Sequence, residues 1–125
     1  MKNKILILLC FLFIVCKGIS QNNQRACSEV ENRLNIIQNF VEGKEIDSTL
    51  RRAEAVAFME KLTKIESESP FIAESKSNPT KIDFDKWSNW YKQNKEKLYW
   101  DKRNKKVSVK SDNNTLKVRS LMQIK

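Results

Sequence analysis

The sequence contains no histidine. That removes imidazole as a general base and as a metal ligand, and with it every Ser-His or Cys-His pair. Glycine occurs only at Gly18 and Gly43, so no glycine-rich loop exists to cradle a phosphate. Cys10 and Cys16 lie in the N-terminal apolar region, which leaves Cys27 alone in the rest of the chain. One cysteine makes neither an internal disulfide nor a dithiol redox centre. No motif for a cofactor is present. Carboxylates remain for acid–base chemistry.

The N-terminus reads as a targeting segment. Lys2 and Lys4 precede an unbroken apolar run of eleven residues, Ile5 to Val15. Gly18 and Ser20 then stand at the small-residue positions of a cleavage site, the pattern of a secretory signal peptide over residues 1–20. Eleven apolar residues fall short of the roughly 20 that a spanning helix needs. Cleavage would release residues 21–125 into the periplasm or the medium, without a transmembrane span. A lipid anchor on Cys16 is the rival reading. It fits less well, because Val15 and Phe13 are large where that processing wants small residues. Residues 21–125 suit one small domain with a thin core. In an oxidising compartment that domain has to stand without disulfides.

Periodicity indicates a mainly α (α+β) fold, a three-helix domain with a short C-terminal β-hairpin. Cys27, Val30, Leu34, Ile37 and Val41 recur at spacings of three and four, which puts them on one helical stripe over about 24–42. Gly43 follows as a helix stop, and Cys27 reads as a small core hydrophobe. Asp47 or Ser48 then caps a helix over about 49–65. Its wide apolar arc (Ala53, Ala55, Val56, Ala57, Phe58, Met59, Leu62 and Ile65) suggests the central helix of the three. Residues 66–79 have no period and read as a long loop, pinned by Phe71 and Ile72. Thr80 and Asp83 form a capping box for a third helix over about 81–97. "KVSVK" and "TLKVR" alternate with period two across the turn signal "SDNN". They predict a hairpin of 106–110 with 115–120, within a hairpin region of about 99–120, with a short strand at Tyr99–Trp100 to join it.

All three tryptophans and both tyrosines fall between Trp87 and Trp100, among lysines. Phe84, Trp87, Tyr91 and Leu98 lie within about 60° on a helical wheel. A stripe of that area left in water would invite aggregation, so it is expected to pack on the second helix. Trp90 and Trp100 stand at its margins. The run Trp87-x-x-Trp90-Tyr91-x-x-Asn94-Lys95-x-x-Leu98-Tyr99-Trp100-Asp101, after Asn78-Pro79-Thr80, resembles a segment of small exported proteins of Bacteroidota. "FMEKLTKI", Phe58 to Ile65, is similar to an upstream helix of that group, except that Lys64 stands where a glycine is expected. No activity is assigned to the group, so the resemblance implies no catalytic residue. It implies that the aromatic run is structural.

Charge is distributed unevenly. Residues 21–85 carry nine basic and twelve acidic side chains, whereas residues 86–125 carry twelve and three. Asp83 and Asp85 form an Asp-x-Asp pair, read as helix-start acids that complement the dipole. Glu66, Glu68 and Glu74 are read as solvated loop acids, with a small enzyme or enzyme accessory built on them as the second functional reading. The basic half carries the leading one. Lys102, Arg103, Lys105, Lys106, Lys110, Lys117 and Arg119 are the candidate binding residues, since alternate residues of a hairpin share a face. They point to a non-catalytic binding domain for an acidic protein or an anionic envelope surface rather than nucleic acid.

The targeting reading has a direct check. The intact mass of the protein from its own host should correspond to a chain starting at Gln21 without lipid. A terminus at Cys16 carrying acyl mass would instead make it a tethered lipoprotein.

Overall fold

The computed structural model describes residues 2–44 and 46–111, with side chains from Gln21 onward. Three helices, α1 (Lys2–Val41), α2 (Thr49–Thr63) and α3 (Lys81–Asn94), precede a hairpin of β1 (Leu98–Asp101) and β2 (Lys106–Val109). A single 3-10 turn at Lys95–Lys97 joins α3 to β1. The α+β class expected from the periodicity is the one observed. Among the described residues, no helix is long and apolar enough to cross a membrane.

Local chemistry closes the end of α1 and starts α2 and α3. The amides of Gly43 and Lys44 donate back to Phe40 O and Asn39 O at 3.0 and 2.7 Å, a Schellman closure. It needs the left-handed φ of +80° that glycine adopts freely. Ser48 Oγ accepts from the Arg51 amide at 3.2 Å and starts α2. Arg52, one residue on, ties three segments together. It donates to Asp47 O at 2.9 Å and to Ser77 O at 3.1 Å, and its guanidinium lies 4.5 Å from the Phe40 ring centre. Thr80 and Asp83 make both bonds of the capping box, Asp83 N–H to Thr80 Oγ1 at 3.1 Å and Thr80 N–H to Asp83 Oδ2 at 2.9 Å.

The core is built around α1. Ala26, Val30, Leu34, Ile36 and Ile37 from α1 are buried with Ala55, Val56 and Met59 from α2, Trp87 from α3, and Leu98 and Val107 from the hairpin. Cys27 and Val41 pack at its edge, so Cys27 is a core-edge residue as expected. Two expectations need correction. The central helix is α1, not α2: α1 meets α2, α3 and both strands, while α2 and α3 touch only slightly. The aromatic stripe of α3 therefore packs chiefly on α1, with Tyr91 Oη donating to Glu31 Oε1 at 2.7 Å. Leu98 is buried, but as the first residue of β1 rather than the end of a long helix. The physical reason is length. The fifteen-residue α2 is short, whereas α1 offers a longer stripe, widened by Ala26 and Ile36, that meets α2, α3 and both strands.

Strand pairing is described on one side of β2. β2 pairs with Leu98–Asp101, with Trp100 opposite Val107 and Tyr99 opposite Ser108. The strand expected at 115–120 lies outside the described residues. Tyr99 and Trp100, assigned only an accessory strand by the sequence, are half of the hairpin.

The second correction concerns the 66–79 loop. Phe71 is 72 % exposed and Ile72 50 %, so neither pins it. They sit at a tight turn in which Ile72 and Ser75 exchange two backbone bonds, with Ala73 and Glu74 both at left-handed φ. Polar anchors hold the loop instead, and the main one is Asp83. Its carboxylate is 1 % exposed. Oδ1 accepts from the Glu68 amide at 2.8 Å, and Oδ2 accepts from Ser67 Oγ at 2.5 Å and from the Thr80 amide. Lys76 adds a bond to Glu60 Oε2 at 3.0 Å. Trp87, one turn after Asp83, donates Nε1–H to Ile65 O at 3.1 Å.

Burial alone would push the Asp83 carboxyl upward. Hydrogen bonds from Ser67 and from the Thr80 and Glu68 amides outweigh it and hold the group below its ordinary 3.8. A carboxyl depressed on folding contributes stability that is complete above its unfolded value and is lost as pH falls through its folded value. Asp83→Asn places an amide donor against backbone donors and should cost about 2–3 kcal/mol at neutral pH. Urea melts of both proteins should show that gap constant above about pH 5 and narrowing below about pH 4. A gap independent of pH would mean that the charge of Asp83 does not matter.

Candidate functional site: the basic hairpin end and its groove

The sequence-predicted cations separate into three groups. Lys102, Arg103 and Lys105 occupy the turn between the strands, and Lys106 opens β2; all four are exposed. Lys110 is exposed just past β2, where its amide donates to Lys97 O at 2.9 Å. Lys117 and Arg119 lie outside the described residues. Lys102 to Lys106 are neighbours in the turn rather than alternate residues of a strand face, and β1 is the partner strand of β2.

A single acid organises that turn. Asp101 Oδ1 accepts from the Arg103 and Asn104 amides at 3.0 and 3.1 Å, and Oδ2 accepts from Asn104 Nδ2 at 2.7 Å. The Asn104 side chain, then its amide, hold the Asp101 carboxyl below its ordinary value. Asp101 is thereby occupied by backbone and amide donors. Among the described residues, none of Lys102, Arg103, Lys105 and Lys106 forms an ion pair. Lys105 closes the turn at φ +52°.

Two further cations, missed by the sequence reading, border the same end. Lys61 and Lys64 come from the last turn of α2 and its cap. With Phe58, Leu62, Tyr99, Lys106, Val107, Ser108 and Val109 they line a groove of about 520 Å³ between α2 and β2. Its apolar walls are the half-buried Phe58 and Leu62 and the buried Val107. Arg33 lies beneath, with its guanidinium 5.1 Å from the Phe58 ring centre. The only sequence signal for Lys61 and Lys64 was their place at a helix C-terminus, where cations complement the dipole. Nothing local indicates that a strand 40 residues later lies beside them.

The marginal tryptophans have structural duties. Trp90 and Trp100 pack against the core, and the Arg25 guanidinium covers Trp100 at 4.0 Å. The carboxylates of the competing reading are dispersed. Glu68 pairs with Lys86 at 2.9 Å, and Asp85 and Glu66 are exposed. Glu74 shares a shallow hollow with Glu60, but Glu60 Oε2 already accepts from Lys76 and from the Ser67 amide at 2.9 Å. Among the described residues, no group of three or more acids or cysteines could hold a metal ion. Comparison with protein-family models, with curated proteins and with solved structures yields no match to this chain.

Lys64 caps α2 in the left-handed region, φ +61°, at the position where a glycine is expected. An L-residue there costs roughly 1–2 kcal/mol, part of which glycine returns as unfolded-state entropy. Lys64→Gly should therefore stabilise the domain by about 0.5–1 kcal/mol in a denaturant melt. A loss of stability would show that the lysine stem packs on the groove.

Proposed function

We propose that this chain is a non-catalytic, exported binding domain that takes hold of an anionic partner, an acidic protein or an anionic envelope surface, through its basic hairpin end. The observation that carries this reading is the turn itself. It displays Lys102, Arg103, Lys105 and Lys106 without an ion pair among the described residues, while its one acid is bound to the turn's own donors. A lysine-rich surface that served only for solvation would gain from interspersed acids. This turn instead concentrates one sign of charge on a pinned backbone, which favours steering of an opposite charge. The signal-peptide pattern of residues 1–20 and the resemblance to exported proteins of Bacteroidota support an extracytoplasmic setting. No observation favours the enzyme reading over this one: the loop acids Glu66, Glu68 and Glu74 do not converge.

Binding through exposed charges must weaken with salt, because screening acts over about 8–10 Å at physiological ionic strength. Retention on an anionic matrix or on anionic vesicles should fall steeply between low salt and about 0.5 M. The triple variant Lys102→Glu, Arg103→Glu, Lys105→Glu should elute at markedly lower salt with an almost unchanged melting temperature. Glu66→Gln with Glu68→Gln should behave as wild type. Equal retention of the triple variant and the wild type would reduce the turn to a solvated face.

A further inference from the structure

We propose that the groove between α2 and β2 binds the alkyl chain of a single-chain anionic amphiphile, a fatty carboxylate or alkyl phosphate, whose head group is met by Lys61, Lys64 and Lys106. The proposal rests on the preceding one in a single respect, the negative charge of the ligand. It shares Lys106 with that reading and otherwise assigns different residues and a small-molecule class.

The groove combines two properties that rarely coincide on a solvated surface. Phe58 and Leu62 on one side and Val107 and Val109 on the other make an apolar trough. Its volume of about 520 Å³ lies within the roughly 300–1,000 Å³ typical of small-molecule sites. The charged side chains lining it are all cationic: Lys61, Lys64 and Lys106. Apolar walls with a rim of one sign fit a ligand with an apolar body and an opposite charge at one end.

Charge also discriminates among occupants. The chain beyond Ser111, which begins beside Tyr99, Val109 and Lys110, has apolar Leu116, Val118, Leu121, Met122 and Ile124. It carries Lys117, Arg119 and Lys125 against a single acid, Asp112, the same sign as the rim. An anionic alkyl chain satisfies both walls and rim. Lys64, at φ +61°, is one of the cations lining the trough.

The test is calorimetric titration of the chain comprising residues 21–125 with butyl, hexyl, octyl and decyl phosphate, each below its micelle concentration. Affinity should rise by about threefold to fourfold per added methylene until the trough is filled. Octanoate should follow octyl phosphate, whereas inorganic phosphate and decyltrimethylammonium should not bind measurably. Methyl NMR signals of Leu62, Val107 and Val109 should shift on titration. Lys61→Gln with Lys64→Gln, both exposed positions, should weaken decyl phosphate binding at least tenfold and leave matrix retention nearly intact. Leu62→Asp should abolish chain-length dependence. The turn variant Lys102→Glu, Arg103→Glu, Lys105→Glu should still bind decyl phosphate. Equal affinity for butyl and decyl phosphate overturns the inference, as does equal binding of the cationic amphiphile. No heat across the whole series also overturns it. In each of these cases, matrix retention that is still lost in the turn variant leaves the broader binding reading standing.

Discussion

One buried carboxylate positions the second half of this small domain. Asp83 begins α3, yet two of its three acceptor contacts go to Ser67 and Glu68, at the start of the loop that leaves α2. A charge this deeply enclosed is tolerated only when its lone pairs are filled, so its environment fixes where the loop and the helix start lie relative to each other. Trp87 follows one turn later, fully enclosed and bonded to Ile65 O. The direction of α3 is thus set at both ends of its first turn and a half. Everything downstream inherits that placement, including the 3-10 turn and the hairpin.

The hairpin in turn depends on α1. Two strands alone are marginal in water, and these become stable by turning Leu98, Trp100, Val107 and Val109 onto the core. Asn23 helps by donating from Nδ2 to both Lys95 O and Leu98 O at 2.8 Å, which bolts the entry of β1 to α1. With the apolar face committed inward, Tyr99, Lys106, Ser108 and Lys110 are left at the outer face and edge. β2 then lies beside the end of α2, and the groove with its three lysines is a consequence of that packing. Cations distant in the chain meet because Asp83 and Asn23 hold the connecting elements.

Much of the architecture was legible because it is written in local chemistry. Gly43, Ser48 and the Thr80–Asp83 box mark helix ends through hydrogen bonds within a few residues. The α1 stripe is visible because its period repeats over about four turns. Trp87 was assignable to the core because its neighbours on the wheel are apolar. The Phe71–Ile72 anchor failed for a related reason. Two apolar residues in a polar loop suggest a peg, but a loop can be held as well by serine hydroxyls and a buried carboxylate, and polar anchors leave no hydrophobic pattern. The candidate site divides in the same way. Lys102 to Lys106 are adjacent in sequence and stay together on any hairpin. Lys61 and Lys64 join them only across the fold.

Sequence alone determined the mainly helical class, the caps, the cluster of cations and the absence of imidazole chemistry, because each depends on composition or on contacts spanning a few residues. Tertiary structure decided which helix is central, that Leu98–Asp101 pairs with Lys106–Val109, and that a trough with a cationic rim forms beside α2. Those outcomes depend on which apolar surfaces exclude water from one another over tens of residues, and on where one buried charge finds its donors; neither leaves a period or a motif in the chain.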